Sequence, residues 1–278
     1  MANLASSSKS MDSPSVSIVT PSFQQAGYLE HALRSVLEQG YTRLEYIVID
    51  GASTDGSLEI LRRYADQLAV CVSEPDRGQT DALNKGFARA TGDILAWLNA
   101  DDVYRPGAVR EAVDFLVDNP EVGMVYGDAD FIDSQGRVIG RFPAAQTDYR
   151  RLRQGYVHIP QQTAFFRASW WHQVGPLDPS FYFAMDYDLW VRISRLAPIR
   201  YVPRTWAGFR LHADAKTWLA ADRCWPEMMR VHRRLGGTRL SIIYAKYLIR
   251  RLVEPILPLK LRARLWRQSW ALSRRPRG

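Results

Sequence analysis

The feature that most constrains this chain is an alternation of short β-branched runs with helical segments across its first hundred residues. Residues 16–20 (VSIVT), 44–50 (LEYIVID), 69–73 and 94–98 (ILAWL) read as strands, the third the weakest. Between them, residues 28–39, 57–64 and 79–90 carry apolar side chains at helical spacing, with Asp55 placed to cap the second of these helices. Strands alternating with helices of this length predict an α/β fold with a mostly parallel sheet covered on both faces. In such sheets, ligands bind beyond the carboxyl ends of the strands. Three of the four strands end in polar residues suited to a nucleotide: Pro21-Ser22, Asp50 and Asp101-Asp102. The Asp pair suits a hard divalent cation, which in turn can hold a phosphate.

Four segments carry a resemblance to a known family. SIVTPSFQQAGYLEHALRSVLEQGY, YIVIDGASTDGS, EPDRGQTDALNKGFARATGD and LNADD occur in the order and spacing of family 2 glycosyltransferases with the GT-A (Rossmann-like) fold. The match runs over residues 15–211. The resemblance implies a nucleotide-sugar site built from Pro21, Ser22, Phe23, Asp50, Asp76, Arg77, Gly78, Asn84, Lys85, Asn99 and Ala100. Asp50 matches the position that meets the base or ribose. Here Gly51 follows it where many relatives have a second acid, which leaves the nucleotide open: UDP first, dTDP or GDP as alternatives. Arg77 or Lys85 could meet phosphate, and Lys85 reads equally as an exposed helix residue. The metal motif departs from the usual form, with Asn99 where relatives have Asp. Asp101 is then the main ligand to Mg²⁺ or Mn²⁺, Asp102 the second, and His212 a further candidate.

The second half offers a base. Asp186 opens a helical segment bearing Leu189, Trp190 and Ile193, and it matches the second acid of the family's acidic pair. Met185 replaces the first acid. A carboxylate beside Phe183, Met185 and Trp190 would lose hydration and gain basicity. Asp188 reads as a partner of Arg192 at i,i+4. Gln161, Gln162 and Trp190 are the candidates for acceptor contacts, and the Trp170-Trp171 pair reads as core. The implied reaction is an inverting displacement at an anomeric carbon by an acceptor hydroxyl. A polyprenyl-phosphate sugar synthase and a non-catalytic nucleotide-sugar-binding homologue are the alternatives.

Charge is uneven. The chain has 37 Lys and Arg against 29 Asp and Glu. Sixteen of the bases and three of the acids fall in residues 216–278, so that segment carries +13 and the preceding part −5. Its Leu, Tyr and Trp residues recur at helical spacing among the bases, as in helices that lie on an anionic membrane. The expected organisation is a disordered lead (1–14), a catalytic domain (15–215, divided at 103/104 into nucleotide-sugar and acceptor halves) and a basic helical tail (216–278). The lead lacks the apolar stretch of a signal peptide, and two distant cysteines give no disulfide framework. These features predict a cytoplasmic enzyme, peripheral on the inner face of the plasma membrane. Its acceptor would be a saccharide, or a lipid-linked saccharide of envelope polysaccharide assembly. The pI of 9.6 invites a nucleic-acid reading. No nucleic-acid motif supports it, and the strand-end carboxylates oppose it.

Overall fold

The computed structural model describes residues 13–212 and 221–253. The expected lead up to residue 12 and the basic segment beyond Val253 lie outside the described residues.

The four early strands form as the sequence predicts: β1 (Val16–Ser22), β2 (Leu44–Asp50), β3 (Val70–Ser73) and β4 (Ile94–Trp97). They pair in parallel in the order β3-β2-β1-β4. Alternate side chains serve two cores. Val16, Ile18, Tyr46, Val48, Ile94 and Ala96 face one side, where they meet α1 (Leu29–Leu37) and α4 (Ala108–Asp118). Val19, Ile47, Ile49, Leu95 and Trp97 face the other, where they meet α3 (Gln79–Phe87), α6 (Ala168–Val174) and α7 (Met185–Leu196). Both faces of a strand are therefore apolar, which is why these strands read as continuous hydrophobic runs. Helix α2 (Ser57–Tyr64) lies with α1 through Leu61. At Gly86 a Cβ would come 2.4 Å from a Val19 methyl, so a glycine lets α3 settle directly onto β1.

Beyond β4 the sheet is mixed rather than parallel. Strands β5 (Val103–Tyr104), β6 (Met124–Ile132), β7 (Val138–Arg141), β8 (Phe165–Arg167) and β9 (Ile199–Arg210) extend it, with β8 antiparallel to both β4 and β6. The β6–β7 connection is a short hairpin loop, too short for the crossover that parallel strands need. Strand β9 runs parallel to β6, and β5 pairs antiparallel with the distal part of β9, Val103 opposite Gly208. That last pairing matters most for function. It brings the chain after β4 alongside the end of β9, so the Asp101-Asp102 turn and His212 become neighbours despite lying 111 residues apart.

Helix α7 is anchored by Trp190, which is fully buried and stacks on Trp97 at the end of β4, ring centroids 5.2 Å apart. Trp190 is therefore core and cannot serve as an acceptor contact. The expected Asp188–Arg192 pair forms at 2.9 Å.

The expected boundary at residue 215 is not a boundary in packing. Helix α8 (Ala221–Arg234) lies against α7 and the stretch that leads into it, with Val231 in the same core as α7. The short helix α5 (Tyr149–Arg153) meets α8 through the contact of the Arg153 carbonyl with His232, and helix α9 (Ile242–Val253) follows in the chain.

Candidate active site

The turn after β4 is organised around a buried carboxylate. Asp102 is 1 % exposed, and three N–H groups converge on it. The Arg210 backbone donates to Oδ1 at 2.8 Å; Gln162 Nε2 and Asn99 Nδ2 donate to Oδ2 at 2.8 and 3.1 Å. Burial, and then the charge of Asp101, push its pKa well above the usual carboxylate range, against the pull of those three donors. Both Asp102 oxygens already accept hydrogen bonds and the group is sealed from solvent, so it is a support for the turn. Gln162, itself buried, belongs to that support and not to an acceptor site.

Asn99 explains its own departure from the usual acid. Its Oδ1 accepts from Gln79 Nε2 at 2.6 Å, and its Nδ2 donates both to Asp102 and to Gln161 Oε1 (3.2 Å). Gln161 in turn donates to the Trp97 carbonyl at 2.8 Å. An amide accepts through its oxygen and donates twice through its NH₂, which an ionised carboxylate, an acceptor only, cannot do. An Asp here would face Asp102 with a second negative charge. Asn99 therefore joins β4, the start of α3 and the 161–163 turn, and neither it nor Gln161 is a free ligand-binding group. Ala100, between Asn99 and Asp101 in the turn, is buried.

What remains at the front of the turn is a pair. Asp101 Oδ2 lies 3.2 Å from His212 Nε2, with the Asp101 side chain about one-fifth exposed. Among the described residues no group of three metal-binding side chains occurs. Two protein ligands nonetheless suit Mg²⁺ or Mn²⁺ when a diphosphate and water fill the other positions. The 3.2 Å separation of Asp101 Oδ2 and His212 Nε2 is near the edge of an octahedron built on bonds of about 2.1 Å, so the two atoms could sit side by side on one cation. The donor set thus fits the cation.

Sequence reasoning missed two residues that shape this pair. Arg210 is 2 % exposed; its Nε donates to the Asp101 carbonyl at 2.7 Å and its Nη1 to the carbonyls of Asp133 and Ser134. It fixes the turn through backbone oxygens, leaving the Asp101 carboxylate outward. The Tyr28 ring lies between the Arg210 guanidinium (4.9 Å) and the His212 ring (4.7 Å). The only sequence signal for Arg210 was a cation closing a strand two residues before a histidine.

The ends of β1 and β2 form the adjoining wall. The Gly51 N–H donates to the Ser22 carbonyl, and the Gln24 and Ala26 N–H groups donate to Ser53 Oγ and Asp55. The N-cap of α2 is a left-handed Gly56 and not Asp55 as expected; Asp55, one residue earlier, accepts from Ser57 N–H and Oγ and so still serves the first N–H of the helix. Gln24 and Ala52 take positive φ (54° and 62°), a conformation that non-glycine residues adopt only when surroundings over-determine it. Asp50 supplies part of that determination. It is fully buried and accepts from Ser53 N–H and Oγ and from Ser73 Oγ, so it supports the β2 end instead of facing a ribose. Pro21 is buried, Phe23 is 58 % exposed, and Ser22 Oγ is buried without a partner among the described residues.

Along α3 the expected cations separate. Lys85 Nζ lies 2.9 Å from Glu74 and 3.6 Å from Asp81, held in a surface network. Arg77 is far more exposed and pairs with Asp81 at 3.1 Å. Asp76 accepts from the Gly78 N–H, and its other oxygen sits 2.7 Å from where a Cβ on Gly51 would be, so a side chain at 51 would displace the Asp76 carboxylate from its present place. Asn84 is spent on the backbone of Leu177, donating to its carbonyl and accepting from its N–H, and so is structural. Asp186 lies half-buried in the first turn of α7, its Oδ1 accepting from the Tyr187 N–H at 2.7 Å. It precedes Trp190 by four residues and shares its helix face. The Trp190–Trp97 stack holds the body of the helix that carries Asp186 against β4, the strand that leads into the Asp101 turn. Met185, in place of the family's first acid, is core.

Comparison with known proteins agrees with this architecture. Residues 17–174 match the family model described as glycosyl transferase family 2. An uncharacterized glycosyltransferase of Mycobacterium tuberculosis is 34 % identical over 243 residues, covering 84 % of this chain and 90 % of that protein. One from Rickettsia conorii is 30 % identical over 211 residues, covering 72 % of this chain; the chain spans only about a third (34 %) of that relative's length. In three dimensions the chain resembles S. aureus TarS 1–349 in complex with UDP-GlcNAc (TM-score 0.66, 15 % identity, 86 % of this chain and 73 % of that one). It also resembles the mannosyltransferase PcManGT of Pyrobaculum calidifontis in complex with GDP-Man and Mn²⁺ (TM-score 0.59, 20 % identity, 94 % and 80 %). At these identities the structural likeness establishes the fold, which is GT-A. The chain belongs to glycosyl transferase family 2.

The Asn99 network yields a test. Asn99→Asp replaces a donor to buried Asp102 with a like charge, at a cost of roughly 2–4 kcal/mol at neutral pH. Two carboxyls that share a proton are relieved, so the deficit shrinks as pH falls. Thermal melts of both proteins across pH 5–8 check this; an unchanged melting temperature would contradict the network.

Proposed function

We propose that this chain transfers a sugar, with inversion, from a nucleotide diphosphate sugar to an acceptor hydroxyl. The observation that carries the reading is the Asp101–His212 pair, its carboxylate one-fifth exposed and its imidazole nearly buried, set at the carboxyl end of β4 by a turn in which Asn99 and Asp102 are spent on internal hydrogen bonds. The donor diphosphate would lie over this pair and along the ends of β1 and β2, with Ser22 Oγ and exposed Phe23 on that wall and Arg77 at its rim. UDP is the first expectation and GDP or dTDP the alternatives; the two structural relatives, in complex with UDP-GlcNAc and with GDP-Man, span the first two.

Mg²⁺ or Mn²⁺ held by Asp101 and His212 would neutralise the charge that gathers on the departing diphosphate. The chain's own chemistry is carried by Asp186. Its carboxylate accepts the proton of the acceptor hydroxyl as that oxygen forms its bond to the anomeric carbon. The bond from that carbon to the phosphate oxygen breaks, and its electron pair leaves with the nucleoside diphosphate. The centre passes through an oxocarbenium-like state, and a single displacement inverts it. The buried, amide-based role of Asn99 accounts for the departure that had suggested a binding-only homologue, so the catalytic reading is favoured.

Calorimetry with UDP, dTDP and GDP, each with and without Mn²⁺, tests the donor site. One diphosphate should bind with Mn²⁺ and lose at least tenfold in affinity in Asp101→Ala. Asp186→Asn should bind it normally yet lose turnover by roughly 10²–10⁴-fold, the scale of general-base catalysis. Binding indifferent to metal and to Asp101→Ala would overturn the reading.

The acceptor is proposed to be lipid-linked, as in envelope polysaccharide assembly, and met at an anionic membrane surface. No helix among the described residues is long and apolar enough to cross a membrane. Helix α9 instead presents exposed Leu248, Ile249 and Leu252 beside exposed Lys246 and Arg251. That combination suits an interfacial helix. In flotation assays the protein should bind vesicles containing about a third anionic lipid more than tenfold better than neutral ones, with binding reduced by salt. Equal recovery on both would rule out membrane docking.

A further inference from the structure

The first helix of the basic C-terminal segment reaches into the acceptor half through three residues on one face, Glu227, Arg230 and Arg234, at i, i+3 and i+7. Their target is the stretch that leads into α7. Arg234 pairs with Asp178 at 2.6 Å, Arg230 donates to the Ser180 carbonyl at 2.6 Å, and both guanidinium groups lie over the Phe181 ring (4.8 and 4.1 Å). Glu227 does something more specific. Its carboxylate accepts from three successive backbone N–H groups: Tyr182 to Oε1 at 2.9 Å, Phe183 and Ala184 to Oε2 at 2.7 and 2.9 Å.

Those N–H groups end where α7 begins, and no side chain of the local sequence caps that helix. Helix N-termini leave donors unsatisfied, and successive N–H groups form a concavity that suits an anion. Glu227 fills it from a distant helix. On the opposite side the same stretch is tied by Thr80 Oγ1, which donates to the Phe181 carbonyl at 2.9 Å, one residue along α3 from the Gln79 that bonds Asn99. The turn into α7 is thus gripped between the donor half and α8, two residues before Asp186.

The geometry points to Glu227 as a positioning residue that sets the aim of the Asp186 carboxylate toward the acceptor hydroxyl. The inference rests on Asp186 as the base. The body of α7 is held independently by the Trp190–Trp97 stack, so loss of Glu227 loosens the first turn while leaving the helix and the donor site in place. Misplacement of a catalytic group by about 1 Å is enough to cost about 10²-fold in rate.

Hydrolysis of UDP-glucose, UDP-GlcNAc and GDP-mannose, with water as acceptor, provides the assay, beside calorimetric binding of UDP with Mn²⁺ and amide exchange across 182–187. Glu227→Ala should lower kcat about 10- to 100-fold, with donor KM and UDP affinity within about twofold of wild type. Glu227→Gln keeps one oxygen for Phe183 and Ala184 but turns an NH₂ toward Tyr182, so its kcat should fall between the two. In both variants the amides of Tyr182, Phe183 and Ala184 should exchange faster, with β4 unchanged. Wild-type kcat in Glu227→Ala, or unchanged exchange at those amides, would overturn the proposal. So would a loss of UDP affinity in step with kcat in both variants, which marks a general structural role. Asp186→Asn, run in parallel, separates the two readings. If it turns over like wild type, the base assignment fails, whereas an inactive Asp186→Asn beside a fully active Glu227→Ala removes positioning alone.

Discussion

The Asp102 carboxylate sits in the protein interior with two N–H donors from side-chain amides and one from the backbone of Arg210. A carboxyl group in that position is tolerable only while its partners stay in place, since a buried polar group left without hydrogen bonds is strongly penalised. Each donor comes from a different element: Asn99 from the end of β4, Gln162 from the 161–163 turn, Arg210 from the end of β9. Satisfying one carboxylate therefore locks three segments into one arrangement. Asp101 faces outward as a consequence, because its backbone carbonyl is held by Arg210 and its neighbour by everything else. His212, two residues past Arg210, is delivered to the same place. The chemistry proposed for the front of the turn depends on the electrostatics behind it.

Much of the frame was legible in the sequence because its cause is local. The β-branched runs at 16–20, 44–50 and 94–98 become parallel strands, since runs apolar on both faces need cover on both sides. Asp55 serves the first N–H of α2 from one position before the N-cap and Asp188 pairs with Arg192, both through interactions spanning four residues or fewer. What the sequence hid was long-range. Nothing near Asn99 indicates that its amide must donate to a buried acid, and nothing near Asp50 or Asp102 distinguishes a sealed carboxylate from an open one. Trp190 looked available to a sugar because its stacking partner, Trp97, lies far back in the chain, on β4. The parallel order holds from β3 to β4; beyond it β8 runs antiparallel to its neighbours, β6 and β7 form a hairpin, and β9 returns parallel to β6, pairings between segments far apart in the chain that no local pattern announces.

The basic C-terminal segment is the other place where composition misled. Its charge directed attention to surfaces outside the protein, and the exposed apolar face of α9 keeps that reading alive. Glu227 ran against the composition as one of three acids among sixteen bases, and it is the residue that reaches inward. A helix counted as an appendage is thus part of how the turn into α7 is held. Donor and acceptor halves meet through side chains that serve neither substrate directly: Gln79 and Thr80 from α3, Gln161 and Gln162, Trp97 and Trp190.

The central claim is that one carboxylate, Asp101, and one imidazole, His212, hold the cation, while Asp102 does not. Electron spin echo spectroscopy of Mn²⁺ bound together with UDP reads this directly, because a coordinated imidazole nitrogen modulates the echo. Nitrogen modulation is expected in the wild type and should disappear in His212→Ala. A bound Mn²⁺ whose echo carries no nitrogen modulation, and is unchanged by His212→Ala, would contradict that assignment.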